Sequence, residues 1–375
     1  MRIGKPPARQ PMGASEVMQG KYATLAGMMP IRMGIIGYGR IGALHARWIE
    51  RCGRARVQAV CDITPARREM ARAAGFEVVS EVPALLERPL DAILVTSPTS
   101  MHFEHGLAAL SADRHVMIDK PMALDFAQAR CLADEAARRG RVLSVFHNRR
   151  WDRDFLTVRQ ALVQGVFGRV INVESRLGQW ASCVGGAAVE YRPQWRTEAA
   201  FGGGGLYDWG SHFLDQIWQL LLPDRPVRVF AQLRGNVWST DCDDFARVCI
   251  DFAGGAVALV EINTTTTRPL PRWHVDGTEG SADSPPSREF DTDTWARLRF
   301  VCKDGTERLL PMANPGLDEP AIWERFALAC MGEGTPAVPI RSVLATMVLL
   351  DAARESSQTG RAVDLGPHQH LFAPE

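Results

Sequence analysis

The chain has 375 residues, of which 46% are hydrophobic, and its 43 Lys and Arg residues balance 43 Asp and Glu residues. This composition excludes a disordered or fibrous protein, and the length predicts two globular domains. A net charge of zero argues against nucleic acid as a partner, and no apolar run is long enough to span a membrane. Because the amino terminus also lacks the apolar segment of a signal peptide, we expect a cytoplasmic protein.

The first part of the chain alternates short apolar runs with amphipathic stretches. Residues 1–30 contain Pro and Gly but no periodic pattern, so we expect a flexible, dispensable extension. Residues 31–150 repeat the order strand, helix, strand, which predicts a doubly wound parallel sheet. Helices are expected to begin after Thr64 and Asp125, and strands are predicted at 33–37, 57–61, 91–96, 115–118 and 142–146.

The pattern changes after Trp151. Two closing helices are predicted at 319–331 and 342–359, and Gly360 ends the second. We assign residues 151–365 to an α+β domain and the whole chain to the α/β class. Alternating β-branched residues predict a mostly antiparallel sheet in this domain, at 168–179, 227–233, 245–252 and 256–264.

The cysteines are scattered along the chain, and no pair has the C-x2-C spacing of a zinc or redox site. We therefore expect no bound metal and interpret these residues as small apolar side chains. They are Cys52, Cys61, Cys131, Cys183, Cys242, Cys249, Cys302 and Cys330.

A glycine-rich motif lies between the first predicted strand and an amphipathic stretch. Gly37 permits a tight turn, Gly39 lets the backbone approach a pyrophosphate, and Gly42 allows close packing of the helix. The N–H groups of the first helical turn would then face the phosphates. Asp62 ends the second predicted strand, where it would accept hydrogen bonds from the adenosine ribose. A turn that binds nothing is the alternative interpretation.

The same motif carries a prediction about the cofactor. The Asp62 carboxylate would repel a 2′-phosphate, so NAD is favoured over NADP. Arg67 and Arg68 lie close enough in sequence to weaken that preference.

Lysine is rare in this chain, which makes Lys120 an unusual choice. It follows the predicted strand 115–118 at its carboxyl end, where open parallel sheets bind ligands, and Pro121 restricts the backbone after it. We interpret Lys120 as a donor to a substrate hydroxyl that favours its deprotonated form. A solvated surface lysine is the alternative.

Four glycines at 202–205 lead into a predicted helix with one apolar and one polar stripe. Because Asp208 and His212 are four residues apart, the carboxylate could orient the imidazole as a general base. An exposed polar helix face is the alternative. The apolar stripe is Leu206, Trp209, Phe213, Ile217 and Leu220, and the polar stripe is Asp208, His212, Asp215 and Gln219.

Other polar residues near the predicted strand ends admit two interpretations. His102 either borders the cofactor or caps the helix that it begins. Arg150 and Trp151, with Trp195 and Arg196, could line a sugar-sized pocket, although Trp is often a core residue. Structural roles are expected for three histidines, His45, His105 and His115.

Together these motifs resemble the Gfo/Idh/MocA family of oxidoreductases from about Ile31 to Leu365. The resemblance rests on Gly37-x-Gly39-x-x-Gly42, Thr96-Ser-Pro98-x-x-x-His102, Asp119-Lys120-Pro121, Gly203-Gly-Gly205-Leu-x-Asp208-x-Gly-x-His212-x-x-Asp215 and Ser356-x-x-Thr359-Gly-Arg361. It implies a Rossmann domain joined to an α/β domain with a large open sheet, an NAD(P) cofactor, hydride exchange with a carbohydrate or polyol, and a homo-oligomer (dimer or tetramer).

The resemblance also assigns roles by position. Lys120 is similar to the family's active-site lysine, Asp208 to its aspartate, and His212 to its proton-transferring histidine. Asp119 departs from the family's usual glutamate, and the shorter acid could reposition Lys120. The stretch 146–157 looks like the subgroup of scyllo-inositol dehydrogenases, which tends to use NADP, whereas Asp62 favours NAD.

We therefore predict two groups of site residues. The cofactor site comprises Gly37, Tyr38, Gly39, Arg40, Ile41, Gly42, Asp62, Ser97, His102, Asp119, Lys120 and Pro121, and the substrate site comprises Lys120, Asn148, Arg150, Trp195, Arg196, Asp208 and His212.

The resulting hypothesis is an NAD-dependent dehydrogenase of a sugar, a sugar derivative or a cyclic polyol. His212 would take the hydroxyl proton while Lys120 stabilises the alkoxide. One alternative is a glycoside-cleaving enzyme that retains its NAD and oxidises the substrate transiently. Another is a regulatory binding protein of the same fold without the chemistry. Specificity would depend on the loops 180–203 and 264–295.

Overall fold

The structure is a computed structural model that describes residues 29–182, 195–235 and 237–373. From Ile31 onward the described residues form one compact unit. Three features of the sequence analysis lie outside the described residues: the predicted extension except for its last two residues, Cys183, and positions 183–194 of the predicted loop 180–203.

The first sheet has six parallel strands, β1 (Ile31–Ile36), β2 (Ala55–Cys61), β3 (Glu77–Val79), β4 (Ala92–Val95), β5 (His115–Ile118) and β6 (Leu143–Val145). Their order across the sheet is β3-β2-β1-β4-β5-β6. The strand order reverses between β1 and β4, so the crevice at their carboxyl ends is where such sheets bind ligands. The doubly wound parallel sheet predicted from the sequence is confirmed. Strand β3 was not among the predicted strands.

The helices of this part of the chain alternate with its strands in sequence. Asp125 caps one of them as predicted, since its side chain accepts a hydrogen bond from the Gln128 N–H. Thr64 stands at the start of another without a side-chain cap, and Pro65 is its first residue. The helices are α1 (Arg40–Cys52), α2 (Pro65–Ala73), α3 (Val82–Leu86), α4 (His102–Ser111) and α5 (Phe126–Arg139).

The second sheet has nine strands, β7 (Val170–Gly178), β8 (Pro226–Arg234), β9 (Phe245–Phe252), β10 (Val257–Asn263), β11 (Trp273–Gly277), β12 (Gly280–Asp283), β13 (Arg299–Cys302), β14 (Glu307–Leu309) and β15 (Val363–Asp364). The order is β14-β13-β12-β11-β7-β10-β9-β8-β15, and every pair is antiparallel except β7 with β10. The mostly antiparallel sheet is thus confirmed, and β7 to β10 match its four predicted segments.

The segment 264–295 differs from the expectation that it is a loop over the site. Its middle forms the hairpin of β11 and β12, which extends the second sheet. Sequence patterning missed β12 because Gly280–Asp283 is short and has no alternating apolar residues.

The remaining helices are α6 (Arg153–Val163), α7 (Ser211–Leu220), α8 (Thr292–Trp295), α9 (Glu319–Cys330) and α10 (Ile340–Thr359). Buried residues of α7 and α10 share one core with the inward side chains of the second sheet, such as Val229 and Val248. On the opposite face of that sheet, Phe230 and Arg247 are exposed. Among the described helices, none is long and apolar enough to cross a membrane.

Helix α9 follows the second sheet in sequence but packs against the first. Its Trp323 is fully buried in a cluster with Ile35 and Leu94, and its indole N–H donates to Nδ1 of His45. Burial lowers the pKa of His45 to about 4, so this ring is a neutral core residue, as expected from the sequence.

His274 lies between two carboxylates on the exposed face of the second sheet. Its ring nitrogens are each 2.8 Å from an oxygen, one of Asp283 and one of Asp276. The hydrogen bond to Asp283, opposed by partial burial and reinforced by Asp276, raises the pKa of His274 to about 9.

We expect His274 to stabilise the fold most below pH 6.5, its unfolded pKa, and to lose that stabilisation as the pH rises through about 9. Urea unfolding of the wild type and His274→Gln at pH 6 and pH 10 measures this directly. The stability gap between the two proteins should shrink at the higher pH. An equal gap at both pH values would show that the charge on His274 does not contribute.

Candidate functional site

The glycine-rich turn after β1 has the geometry of a dinucleotide site. Gly37 has a positive φ of 93°, and Gly39 directly precedes α1. A Cβ on Gly42 would lie 2.2 Å from the Gly37 carbonyl oxygen, so only glycine permits this approach of the helix. A Cβ added to Gly39 would meet no atom of the described residues within 4 Å, so the backbone just before α1 is open. The turn therefore fits a pyrophosphate at a helix N-terminus.

Asp62 follows β2 at the rim of the same cleft. One carboxylate oxygen accepts a hydrogen bond from the Tyr38 N–H (2.7 Å), and the other accepts from the Thr64 N–H (2.8 Å). These bonds fix the carboxylate while leaving lone pairs for ribose hydroxyls. Arg68 donates to backbone carbonyls, including that of Asp62, whereas Arg67 lines the cleft.

The cleft continues from Asp62 toward Lys120 as two adjoining cavities. Both are lined by Ile41, Ser97, Trp195 and Arg196. Of the other predicted cofactor residues, Gly37, Gly39, Arg40 and Asp62 line the first cavity, and His102, Asp119, Lys120 and Pro121 line the second.

Two residues differ from their predicted positions at this cleft. Tyr38 contributes only its backbone, because its ring is buried edge-on against Phe76. His105, expected to be structural, lines the first cavity and its Nδ1 lies 2.9 Å from Oγ of Ser97. Sequence reasoning missed His105 because it lies inside α4 rather than at a strand end.

His102 borders the cleft and does not cap its helix. Met101 holds the cap position of α4, and no side chain caps that helix. The buried ring of His102 instead lies 2.8 Å from the Pro121 carbonyl oxygen at Nδ1 and 2.8 Å from the Ser97 carbonyl oxygen at Nε2. It thereby connects the segment after β4 with the segment after β5, which carries Lys120.

Lys120, which follows β5, is paired with Asp208 in the turn Leu206–Gly210. Its Nζ donates to a carboxylate oxygen of Asp208 (3.0 Å) and to the Asp208 carbonyl (2.7 Å). Arg196 donates to the same carboxylate oxygen at 2.9 Å. Burial raises the pKa of Asp208, but these two cations outweigh it and hold the pKa below its ordinary value. Asp208 is therefore a carboxylate that fixes the Lys120 ammonium.

His212 lies on α7 with its ring buried. The pKa of His212 is well below its ordinary value because of burial and of nearby positive charge from Lys120, Arg149 and Arg272, with His147 adding to the effect. The ring is therefore neutral at pH 7, as a general base requires. Its Nδ1 is enclosed and has no hydrogen-bond partner among the described residues.

The expected contact between Asp208 and His212 is absent from the hydrogen bonds of the described residues, and this corrects the predicted geometry. Leu206–Gly210 forms a π-helical turn before α7, so the 3.6-residue spacing assumed for one continuous helix does not apply. Asp208 is turned to Lys120 and Arg196 instead. Such turns are frequent at functional sites.

Two predicted substrate residues are engaged elsewhere. Arg150 is buried, with a two-point hydrogen bond to Asp215 and another to Ser342, so the structure places it beneath the site rather than in a pocket wall. Asn148 lies near Glu319, 3.4 Å from its carboxylate. Trp195 and Arg196 do line the cleft, and the Arg196 guanidinium lies 4.7 Å from the Trp195 ring centre.

Arg149, Arg272 and His147 are site residues that sequence reasoning missed. Arg149 stacks on Phe290 at 4.1 Å, and Arg272 is fully buried against Phe213 at 3.5 Å. His147 could have been found, because it follows β6 at the same sheet edge as Lys120 follows β5. Within the described ranges, no cluster of three or more potential metal ligands occurs.

Comparison with known proteins places this geometry in context. The oxidoreductase family model GFO_IDH_MocA, described by its NAD-binding Rossmann fold, matches residues 31–147, and the GFO/IDH/MocA C-terminal domain model matches residues 155–283. The oxidoreductase YdgJ of Escherichia coli (strain K12), whose activity is uncharacterized, is 39% identical over 348 residues, which are 88% of this chain and 96% of YdgJ.

Two further proteins are similar over most of their length. The scyllo-inositol 2-dehydrogenase (NADP(+)) IolW of Bacillus subtilis (strain 168) is 28% identical over 254 residues, 67% of this chain and 68% of IolW. A solved NAD-binding protein from Listeria innocua is 29% identical, with a TM-score of 0.80 over 90% of this chain and 97% of that chain.

Proposed function

Because this chain belongs to the GFO/IDH/MocA oxidoreductase family, we propose that it is an NAD(H)-dependent dehydrogenase of a sugar, sugar derivative or cyclic polyol. The observation that carries the proposal is the pairing of Lys120 with Asp208 at the end of the cleft, next to a neutral, buried His212. The name of IolW, a dehydrogenase of a cyclic polyol, supports the substrate class.

The residues divide the chemistry between them. The glycine turn and Asp62 would hold the dinucleotide, which when bound supplies the hydride acceptor at its nicotinamide. Nζ of Lys120 donates to the substrate hydroxyl and stabilises negative charge on its oxygen. Nε2 of His212 takes the hydroxyl proton. Asp208 keeps Lys120 in position and does not itself exchange a proton.

We propose NAD rather than NADP on the strength of the fixed Asp62 carboxylate, although IolW is named for NADP(+). Asp62→Asn keeps the size of the side chain and removes its charge. The ratio of the Kd for NADPH to that for NADH should fall about tenfold, since one charge repulsion of about 1.4 kcal/mol is removed.

Fluorescence titration with both reduced cofactors measures that ratio. Glu69→Gln, an exposed carboxylate on α2 that pairs with Arg72, is the matched control and should leave it unchanged. An Asp62→Asn ratio equal to that of the wild type would assign cofactor choice to other residues.

The proposed activity is tested by absorbance at the nicotinamide band after adding NAD or NADP with a panel of polyols, aldoses and glycosides. NADH that forms with one polyol or sugar supports the dehydrogenase and names its substrate class. Cleavage of a glycoside without net NADH would point to transient oxidation instead. If neither nucleotide binds, both activities are excluded and a regulatory role takes their place.

We also propose a homo-oligomer. The second sheet leaves one face with exposed side chains, among them Phe230, which is 40% exposed. A face that mixes apolar and charged residues over several strands is suited to pairing with a second copy.

A further inference from the structure

The four glycines at 202–205 are a sequence motif that the proposed chemistry leaves unexplained. Successive glycines lose the most backbone entropy on folding, so this segment needs bonds from elsewhere to hold one conformation. Gly204 has a positive φ of 105°, and its N–H donates to the Arg196 carbonyl at 2.7 Å. The next N–H, of Gly205, donates to the Asp243 carbonyl at 2.9 Å. A residue just before β9 therefore holds the end of the glycine segment.

The side chain of Asp243 binds at the same place. One of its carboxylate oxygens accepts a hydrogen bond from the Leu206 N–H at 2.8 Å. A Cβ added to Gly204 would lie 2.3 Å from the other oxygen, so the carboxylate fits here only because that residue is glycine. Leu206 begins the π-helical turn Leu206–Gly210, and the first N–H groups of a helix need acceptors from outside it. Asp243 therefore caps this turn from 37 positions away in sequence.

The capped turn carries Asp208, the residue that fixes Lys120. A second bond ties the same turn to the segment after Lys120, because the Tyr207 hydroxyl donates to the Leu124 carbonyl. Arg354 donates to that carbonyl as well, at 2.9 Å. The turn is thus bound to the second sheet at its start and to the Lys120 segment at its next residue, and both bonds lie directly before Asp208.

We propose that Asp243 is a positioning residue of the active site, which fixes the turn Leu206–Gly210 so that Asp208 holds Nζ of Lys120 where the substrate hydroxyl binds. This inference rests on the proposed function, because the placement of Lys120 matters for that reaction. Among the described residues, those that line the two cavities of the cleft do not include Asp243, which lines a different cavity with Leu206. It acts through Asp208 and not on the substrate.

A shift of the turn would reach Lys120 directly. Nζ of Lys120 donates to the backbone carbonyl of Asp208 as well as to its carboxylate. The position of the ammonium therefore follows the backbone of the turn and not only the rotamer of one side chain. Since a displacement of about 1 Å at a reacting group can lower a rate about a hundredfold, even a small loosening of the turn should be measurable.

Lysine-selective ¹⁵N NMR of the full-length protein tests this role without any substrate. The chain has only four lysines, and Lys120→Arg identifies the Lys120 ammonium signal by its loss. Hydrogen bonds to Asp208 slow the exchange of these ammonium hydrogens with water. In Asp243→Ala that exchange should become at least about threefold faster, because the turn loses its cap. An exchange rate equal to that of the wild type would overturn the proposal.

Two variants separate positioning from a general loss of stability. Asp243→Asn keeps an oxygen for the Leu206 N–H, and burial already raises the pKa of Asp243 to about 7, so a neutral side chain should be tolerated. Its Lys120 exchange rate should stay near that of the wild type. Asp318→Ala removes an exposed carboxylate that caps α9 through the Ala321 N–H at 2.9 Å, and it should leave the exchange unchanged. An equal acceleration in Asp318→Ala would reduce the effect to lost stability and reject the role.

With a substrate in hand, Asp243→Ala should lower kcat about tenfold and change the Kd for NADH less than about threefold, and Asp243→Asn should recover most of the loss. If no substrate is oxidised but the Lys120 exchange accelerates, the proposed function fails while the positioning role stands. If activity is found and Asp243→Ala leaves both kcat and the exchange unchanged, the positioning role fails while the function stands.

Discussion

Replacing Lys120 by alanine should lower kcat about a thousandfold and change the Kd for NAD less than about threefold. Nζ of Lys120 is fixed by two hydrogen bonds to Asp208. In the proposed reaction its charge would therefore stabilise the developing alkoxide without reorganisation. Dinucleotide affinity, by contrast, is expected to come mainly from the glycine turn and Asp62, which line the other cavity of the cleft. Steady-state kinetics and fluorescence titration of NADH separate the two effects.

Lys303→Ala is the matched control for this experiment. Lys303 is an exposed lysine that also forms an ion pair, with Glu279 at 2.7 Å, but it lies in the turn after β13. Its loss should leave both kcat and NAD affinity unchanged. A Lys120→Ala enzyme with undiminished kcat would remove Lys120 from the mechanism, and one that fails to bind NADH would make it a cofactor residue.

Arg150→Leu should lower the free energy of unfolding by about 3–5 kcal/mol, because it leaves the buried Asp215 carboxylate without its main partner. The pair is almost fully enclosed, with Arg150 8% and Asp215 1% exposed. Urea unfolding monitored by tryptophan fluorescence measures the loss. The double variant Arg150→Leu/Asp215→Leu should recover most of it, since no charge remains buried.

The chain offers an exposed pair of the same chemistry for comparison. Arg228 donates to Asp251 at 2.7 Å across neighbouring strands, but the two side chains are 60% and 37% exposed. Arg228→Leu should therefore cost less than about 1 kcal/mol. Similar losses in Arg150→Leu and Arg228→Leu would show that burial does not determine the strength of these pairs.

The sequence predicts the parts of the site that depend on local rules. Gly37, Gly39 and Gly42 are recognisable because a tight turn and a close helix need glycine, and Lys120 because it follows a strand at its carboxyl end. The same local rules predict the parallel sheet and the strands β7 to β10 from the sequence. The predicted domain limits at 150 and 151 remain predictions.

The parts that the sequence did not predict depend on contacts between distant segments. The role of Asp208 was assigned from helical spacing, and the π-helical turn at Leu206–Gly210 redirects its side chain toward Lys120. Arg150 was interpreted as a pocket residue because nothing near it in sequence indicates that it is buried. Its burial depends on its hydrogen bonds to Asp215, which is far away in sequence. Spacing within one element cannot reveal either contact.

The packing of α9 on the first sheet has a consequence for synthesis on the ribosome. His45 and Trp323 are 278 positions apart, yet they meet in one core with Ile35 and Leu94. The first sheet therefore emerges with an apolar face whose contacts with α9 form only after most of the chain has been made. Until then this face is open to aggregation and to chaperones, even though all six strands of its sheet have already been made.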